Sequence, residues 1–227
     1  MATKTSSKTT RTKKKVDLRQ KIMEQYQEYR LLNGHDPASV FAFCKQLEIT
    51  EAEFYKHFNN FSQLSTAFWT DLFQNNIQRL ESTAEYEEFS VREKLLSFYY
   101  SFFENLKNHR SYAMLTLKSQ GFSLKREGND LGLLKKHYKQ WAKQLITEGK
   151  MKEEIAGRSK LSDNYDSLFW YQFMFLLDFW RKDGSTDFER TDEAIEKVVN
   201  LSFDLIEKNA LDSAFDFGKF IFQNVRV

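Results

Sequence analysis

The chain has one cysteine, one proline and eight glycines in 227 residues. A lone thiol, Cys44, has no partner within the chain, which excludes a disulfide scaffold and fits a reducing, cytoplasmic setting. A single proline, Pro37, favours long unbroken helices. So little glycine and proline excludes collagen-like and low-complexity classes. Long hydrophobic runs are missing too. The longest, Leu168 to Trp180, is interrupted by Gln172 and Asp178 and falls short of the roughly 18 residues that span a bilayer. It reads as a helix buried in protein, and no stable membrane insertion is expected. Met1 to Lys15 carries no apolar stretch of the kind a signal peptide needs.

Catalytic and cofactor motifs are absent as well. There is no GxGxxG, no P-loop and no HExxH. The histidines His35, His57, His109 and His137 are scattered, whereas zinc needs three or four convergent ligands. The acidic pairs Glu87-Glu88 and Glu153-Glu154 read as solvated faces. The chain is therefore expected to be no enzyme and to hold neither metal nor cofactor. Cys44 reads as a small core residue.

What is abundant is aromatic. With 22 Phe, 10 Tyr and 4 Trp, rings make up 16% of the chain, so many must be buried, line a pocket or face a partner. Charge is unevenly spread. The net value is +2, but Lys4, Lys8, Arg11, Lys13, Lys14 and Lys15 all fall in the first fifteen residues. Residues 1–15 thus form a basic, disordered arm on a slightly acidic body, suited to weak contact with polyanions.

From Val16 onward the apolar residues recur at three and four, the period of a helix. Ile22, Tyr26, Tyr29 and Leu32 give the first face, ended by Asn33-Gly34. A short helix over Ser39 to Leu47 buries Val40, Phe43, Cys44 and Leu47. After a break at Glu48-Ile49, Thr50 and Glu53 form a capping box, with Phe54, Tyr55 and Phe58 as the next apolar face. Longer helices follow over Ser62 to Glu81 (through Leu64, Phe68, Leu72 and Ile77), from a second capping box at Ser90 and Glu93, over Ser111 to Phe122, through Leu134 to Leu145, over Asp163 to Lys182 and over Thr191 to Lys208. Gly121 to Gly132 reads as containing a loop, Lys150 to Lys160 as loop or helix, and Asp183-Gly184-Ser185 as a turn. Ala214 to Val227, with five large apolar residues, fits helix or strand and is taken as helix from its context. The fold class is all-α.

Two short helices joined by a tight turn make a helix-turn-helix pattern, whose second helix enters the DNA major groove by its first residues. Ile22 to Leu64 resembles, without a gap, the DNA-binding domain of TetR-family (tetracycline-repressor-like) regulators. Gly34 falls on the glycine ending the family's first helix, Ser39-Val40 on the start of its second, Phe43-Cys44 on its Ile-Ala, and Ile49-Thr50 on its Val-Ser. Ala52, Phe54, Tyr55, His57 and Phe58 fall on its small-x-aliphatic-Tyr-x-His-Phe signature. Asn60 and Leu64 match the start of its fourth helix. Further on, Phe179 to Ser185, Glu189 to Asp192 and Ile195 to Lys197 are similar to the last two helices of a subgroup. The resemblance covers Arg19 to Lys208, with the last twenty residues outside it.

The departures are informative. Glu48 stands where the family has its turn glycine, and Phe61 where a phosphate-binding lysine is usual. Glu51 and Glu53 stand at the groove-facing start of the third helix, where carboxylates repel a polyanion.

The resemblance implies three regions: residues 1–15 as the arm, 16–62 as a helix-turn-helix DNA-binding domain, and 63–227 as a helical ligand-binding and dimerisation domain. The implied DNA-contacting residues are Ser39, Lys45, Thr50, Glu51, Glu53, Tyr55, Lys56, His57 and Asn60. The implied pocket for a small lipophilic ligand is lined by Phe98, Phe102, Tyr112, Leu115, Phe122, Tyr138, Trp141, Phe169, Gln172 and Phe173. Gln172 and Asp178, polar groups in an apolar run, need partners: a ligand, another helix or a second subunit. The implied homodimer interface takes in Phe175, Asp178, Phe179, Ile195, Val198, Val199, Ser202 and Leu205, and the Phe-rich end is left to swap onto the partner, cap the pocket or touch a membrane. The expected function is that of a cytoplasmic, ligand-responsive regulator, a repressor, binding palindromic double-stranded DNA as a homodimer. The alternative is a lipid or isoprenoid carrier on a TetR-like fold that has lost specific DNA binding.

Overall fold

The structure is a computed structural model that describes residues 17–119, 129–155 and 164–207. The basic arm, Phe122 and the Phe-rich end lie outside the described residues. The chain divides into two compact units, Met1–Asn59 and Asn60–Val227. Among the described residues, every regular element is a helix.

The first unit holds α1 (Leu18–Asn33), α2 (Val40–Leu47) and α3 (Glu51–Tyr55). Asp17, Ser39 and Thr50 cap their N-termini by accepting from backbone N–H groups, as short polar residues do. Gly34 ends α1 at φ 75°, the left-handed geometry that glycine adopts without strain. Glu48 ends α2 at φ 56°. A residue with a Cβ costs roughly 1–2 kcal/mol there. Its N–H reaches the carbonyls of Cys44 and Lys45, so the turn closes without the glycine. Phe43 is the centre of the core: its ring meets Tyr26 at 6.2 Å, Tyr29 at 6.5 Å and Phe54 at 6.4 Å, all edge-on. Leu32 does not belong to this face. It is 79% exposed, because at about 100° per residue it lies well off the stripe centred on the buried Ile22, Met23 and Tyr26.

The second unit holds α4 (Phe61–Glu81), α5 (Val91–Lys107), α6 (Arg110–Ser119), α7 (Gly132–Met151), α8 (Tyr165–Lys182) and α9 (Glu189–Glu207). The buried face of α4 is Leu64, Ser65, Phe68, Trp69, Phe73 and Asn76. Leu72 and Ile77 sit half-buried at its edge, one position off the expected stripe. A short 3-10 turn over Ala84–Glu88, unmarked by any apolar period, places Tyr86 in the core. α7 runs to Met151, and Lys152 to Ile155 turns back. There Glu154 accepts from the Val91 N–H at 2.7 Å and so caps α5 from across the fold. Gly149 permits this return: a Cβ would lie 2.7 Å from the buried Ile155 side chain.

α8 and α9 form a hairpin held by Asp183 and Arg110. Asp183 accepts from the N–H and hydroxyl of Ser185 (2.8 and 2.7 Å) and of Thr191 (2.9 and 2.7 Å). The Arg110 guanidinium lies 4.6 Å from the ring centres of both Trp180 and Phe188. It donates to the carbonyls of Trp180, Arg181 and Asp183, satisfying the end of α8.

Candidate functional site

Three places carry the residues singled out by sequence. In the first unit, the turn between α2 and α3 is fixed by the Thr50 capping box. Glu53 Oε2 accepts from the Thr50 N–H and hydroxyl, each at 2.8 Å, while Thr50 Oγ accepts from the Glu53 N–H at 3.2 Å. The bond from the backbone N–H, then that from the hydroxyl, lowers the Glu53 carboxyl below its ordinary range, so it stays charged. Ser39 is spent in the same way, accepting from the Ala42 N–H at 3.1 Å. Asn60 falls in the second unit, where it caps α4. Lys45, Glu51, Tyr55, Lys56 and His57 are exposed on or beside α2 and α3. Tyr55 is 49% exposed and so leaves the apolar face assigned to it. Cys44 is buried, as expected of a core residue. Burial first, then the Glu51 and Glu53 charges, push its thiol up and leave it unreactive.

In the second unit, Phe98, Phe102, Tyr138, Trp141 and Phe173 form one aromatic cluster. Phe98 lies 4.5 Å from Trp141 and 5.5 Å from Phe102, and Phe173 lies 5.1 Å from Tyr138. Tyr99 and Tyr138 meet hydroxyl to hydroxyl at 2.7 Å, and Tyr138 donates to the Phe169 carbonyl at 3.1 Å. Burial drives both phenols up, so they remain protonated donors. Phe169 faces Phe203 of α9 at 6.1 Å. Tyr112 has its ring 4.9 Å from Phe68 and its hydroxyl 3.4 Å from Ser65. Leu115 is half-buried on α6. Gln172 is 6% exposed, and neither polar atom of its amide has a hydrogen-bond partner among the described residues. Tyr99, Phe73 and Trp170 complete the cluster and were missed by sequence. Tyr99 lies three residues before Phe102 and Trp170 three before Phe173, so the period alone could have included them.

The third place is the outer face of the α8–α9 hairpin. Phe175 is 43% exposed and Leu201 58% exposed, with Phe179, Val198 and Leu205 half-buried beside them in sequence period. Leu201 was missed, although its spacing to Val198 and Leu205 marks it. Phe175, Asp178 and Phe179 join Lys182, Asp183, Gly184 and Arg190 around an open cleft of about 340 Å³. Ile195 and Val199 are wholly buried inside the unit, and Ser202 nearly so, spending its hydroxyl on the Val198 carbonyl. These three face inward because α9 turns that stripe onto α5 and α8. Asp178 finds its partners on its own helix, Arg181 at 2.7 Å and Lys182. Burial would raise its carboxyl, but these bonds outweigh it and hold it down.

With this geometry in hand, comparison with known proteins decides the family. The model of the tetracyclin repressor-like C-terminal domain matches residues 94–221, more than half of the chain. The chain belongs to the TetR family. The match begins in α5 and passes the last described residue, so it reaches into the Phe-rich end, which sequence resemblance had left outside. Apart from Phe73 on α4, the aromatic cluster of this TetR-family chain falls within it, as does the α8–α9 hairpin. No curated protein matches the chain. Among the described residues, no group of His, Cys, Asp or Glu could hold a metal, and no helix is long and apolar enough to cross a membrane.

Proposed function

We propose that the chain is a cytoplasmic, ligand-responsive transcriptional repressor that binds palindromic DNA as a homodimer. One observation carries this reading: a capped helix-turn-helix with exposed Tyr55, Lys56 and His57 precedes a TetR-family C-terminal domain in the same chain. A helix-turn-helix of this kind presents the start of its second helix to the major groove, and a two-fold dimer presents two of them to a palindrome.

The apolar face of α8 and α9, with Phe175, Phe179, Val198, Leu201 and Leu205, supplies the dimer interface. The cleft at the hairpin end extends it. The ligand enters the aromatic unit, where the buried Gln172 amide, without a hydrogen-bond partner among the described residues, serves as a polar anchor. Because α4 follows the helix-turn-helix directly in the chain, its movement on ligand entry repositions the reading helices. Release of DNA then requires that the ligand bind the DNA-incompetent state more tightly.

Replacing Tyr55 and Lys56 together by alanine tests the assignment of the DNA face. Both side chains are exposed, so the variant should keep its helical content and melting temperature. Its affinity for an operator selected with the wild-type chain should fall by about tenfold or more. Unchanged affinity would remove this face from the reading.

A second reading, a lipid or isoprenoid carrier that keeps the helix-turn-helix as scaffold, is favoured by the carboxylates Glu51 and Glu53 at the start of α3. A tightly held lipid that copurifies, together with no preference for any DNA sequence, would support it.

A further inference from the structure

We propose that Glu51 is a specificity-determining residue that reads a cytosine in each half of the operator. The inference rests on the regulator reading above and names the base chemistry of that same site.

Two carboxylates stand at the start of α3, and the structure gives them different roles. Glu53 is spent on the Thr50 N–H and hydroxyl through one oxygen, which ties its side chain back onto its own turn. It is therefore a capping residue. Glu51 is the first residue of α3 and exposed, and the capping box does not engage it. Ala52 beside it is exposed too and carries only a methyl group, so the start of α3 presents Glu51 next to a small side chain.

An ionised carboxylate only accepts hydrogen bonds. In the major groove, cytosine offers the N4 amino donor. Adenine sets its N6 donor beside the N7 acceptor, guanine presents two acceptors, and thymine an acceptor and a methyl group. Cytosine N4 has an acceptor on one side only, guanine O6, whereas adenine N6 lies between N7 and thymine O4, so a carboxylate is better matched to cytosine. The wrong base does more than withhold a bond, because it leaves a charge partly stripped of water and without a partner. Glu51 thus selects as much by rejection as by attraction. Two-fold symmetry repeats the contact once in each half-site.

The test is in vitro selection from random duplex DNA with three full-length proteins in parallel: wild type, Glu51→Gln and Glu51→Ala. Wild type should select a two-fold symmetric sequence with cytosine at one symmetric position. Glu51→Gln should move that position to adenine, since an amide can donate to N7 and accept from N6. Glu51→Ala should lose about tenfold of the discrimination there and none elsewhere. Circular dichroism confirms that all three are equally helical. If all three select the same sequence, the assignment of Glu51 is overturned while the regulator reading stands. If the wild type itself selects nothing, the regulator reading fails and takes this inference with it.

Discussion

Asp183 fixes the α8–α9 turn with a single carboxylate. It is 7% exposed. Burial would raise its pKa, but the four hydrogen bonds from Ser185 and Thr191 outweigh that and bring it down to about 2. A carboxyl whose folded pKa is depressed adds stability above its unfolded pKa, near 3.9, and loses it as the pH falls through the folded value. Asp183→Asn should therefore cost about 2 kcal/mol at pH 7. In urea titrations its deficit against wild type should shrink as the pH is lowered from 4 to 2. A deficit that stays constant over that window would show that the charge of Asp183 is not what holds the turn. The motif from Phe179 to Ser185 was legible in the sequence, but its physical cause was not. Arg110 reaches it from 73 positions away along the chain, and no local pattern announces such a contact. Glu48 shows the same limit. The missing turn glycine was visible, whereas the left-handed backbone that the turn retains in spite of it had to be seen.

At the scale of the element, caps and period were read well because both are local. Thr50, Ser90 and the stop at Gly34 depend on residues within one turn of one another. Which residues on an amphipathic helix face inward was read less well, since neighbouring helices decide it. α4 buries Trp69, Phe73 and Asn76 where Leu72 and Ile77 were expected, and α9 turns Ile195 and Val199 inward where an interface was expected. α8 is the informative case. Its all-round apolar character called for covering beyond its own unit, and Tyr171 and Phe175 do remain exposed. If that face is the dimer interface, Phe175→Glu places a charge in its apolar centre. Sedimentation should then show the dimer dissociation constant raised by about tenfold or more, with helical content unchanged. A variant as dimeric as the wild type would move the interface elsewhere.

At the scale of the whole molecule, a helix-turn-helix unit and a TetR-family C-terminal unit share one chain, and on the proposed reading DNA affinity comes from a face that is partly acidic. Lys45, Lys56 and His57 stand against Glu51 and Glu53, so the six positive charges of residues 1–15 are expected to supply much of the salt-dependent affinity. On the same reading, specificity comes from the exposed residues of α2 and α3. The fold and family were legible because they rest on repeated local signals and on a short signature, Ala52 to Phe58, that starts in α3 and runs past its end. The ligand was not, because a buried aromatic cluster looks the same in sequence whether it packs on itself or opens around a guest. The most direct measurement is selection from random duplex DNA at near-physiological salt, with the full chain and with a form lacking residues 1–15. The account predicts that both enrich the same two-fold symmetric sequence, the shorter form more weakly. Sequence-independent binding that vanishes with the arm would contradict it and leave the helix-turn-helix as scaffold.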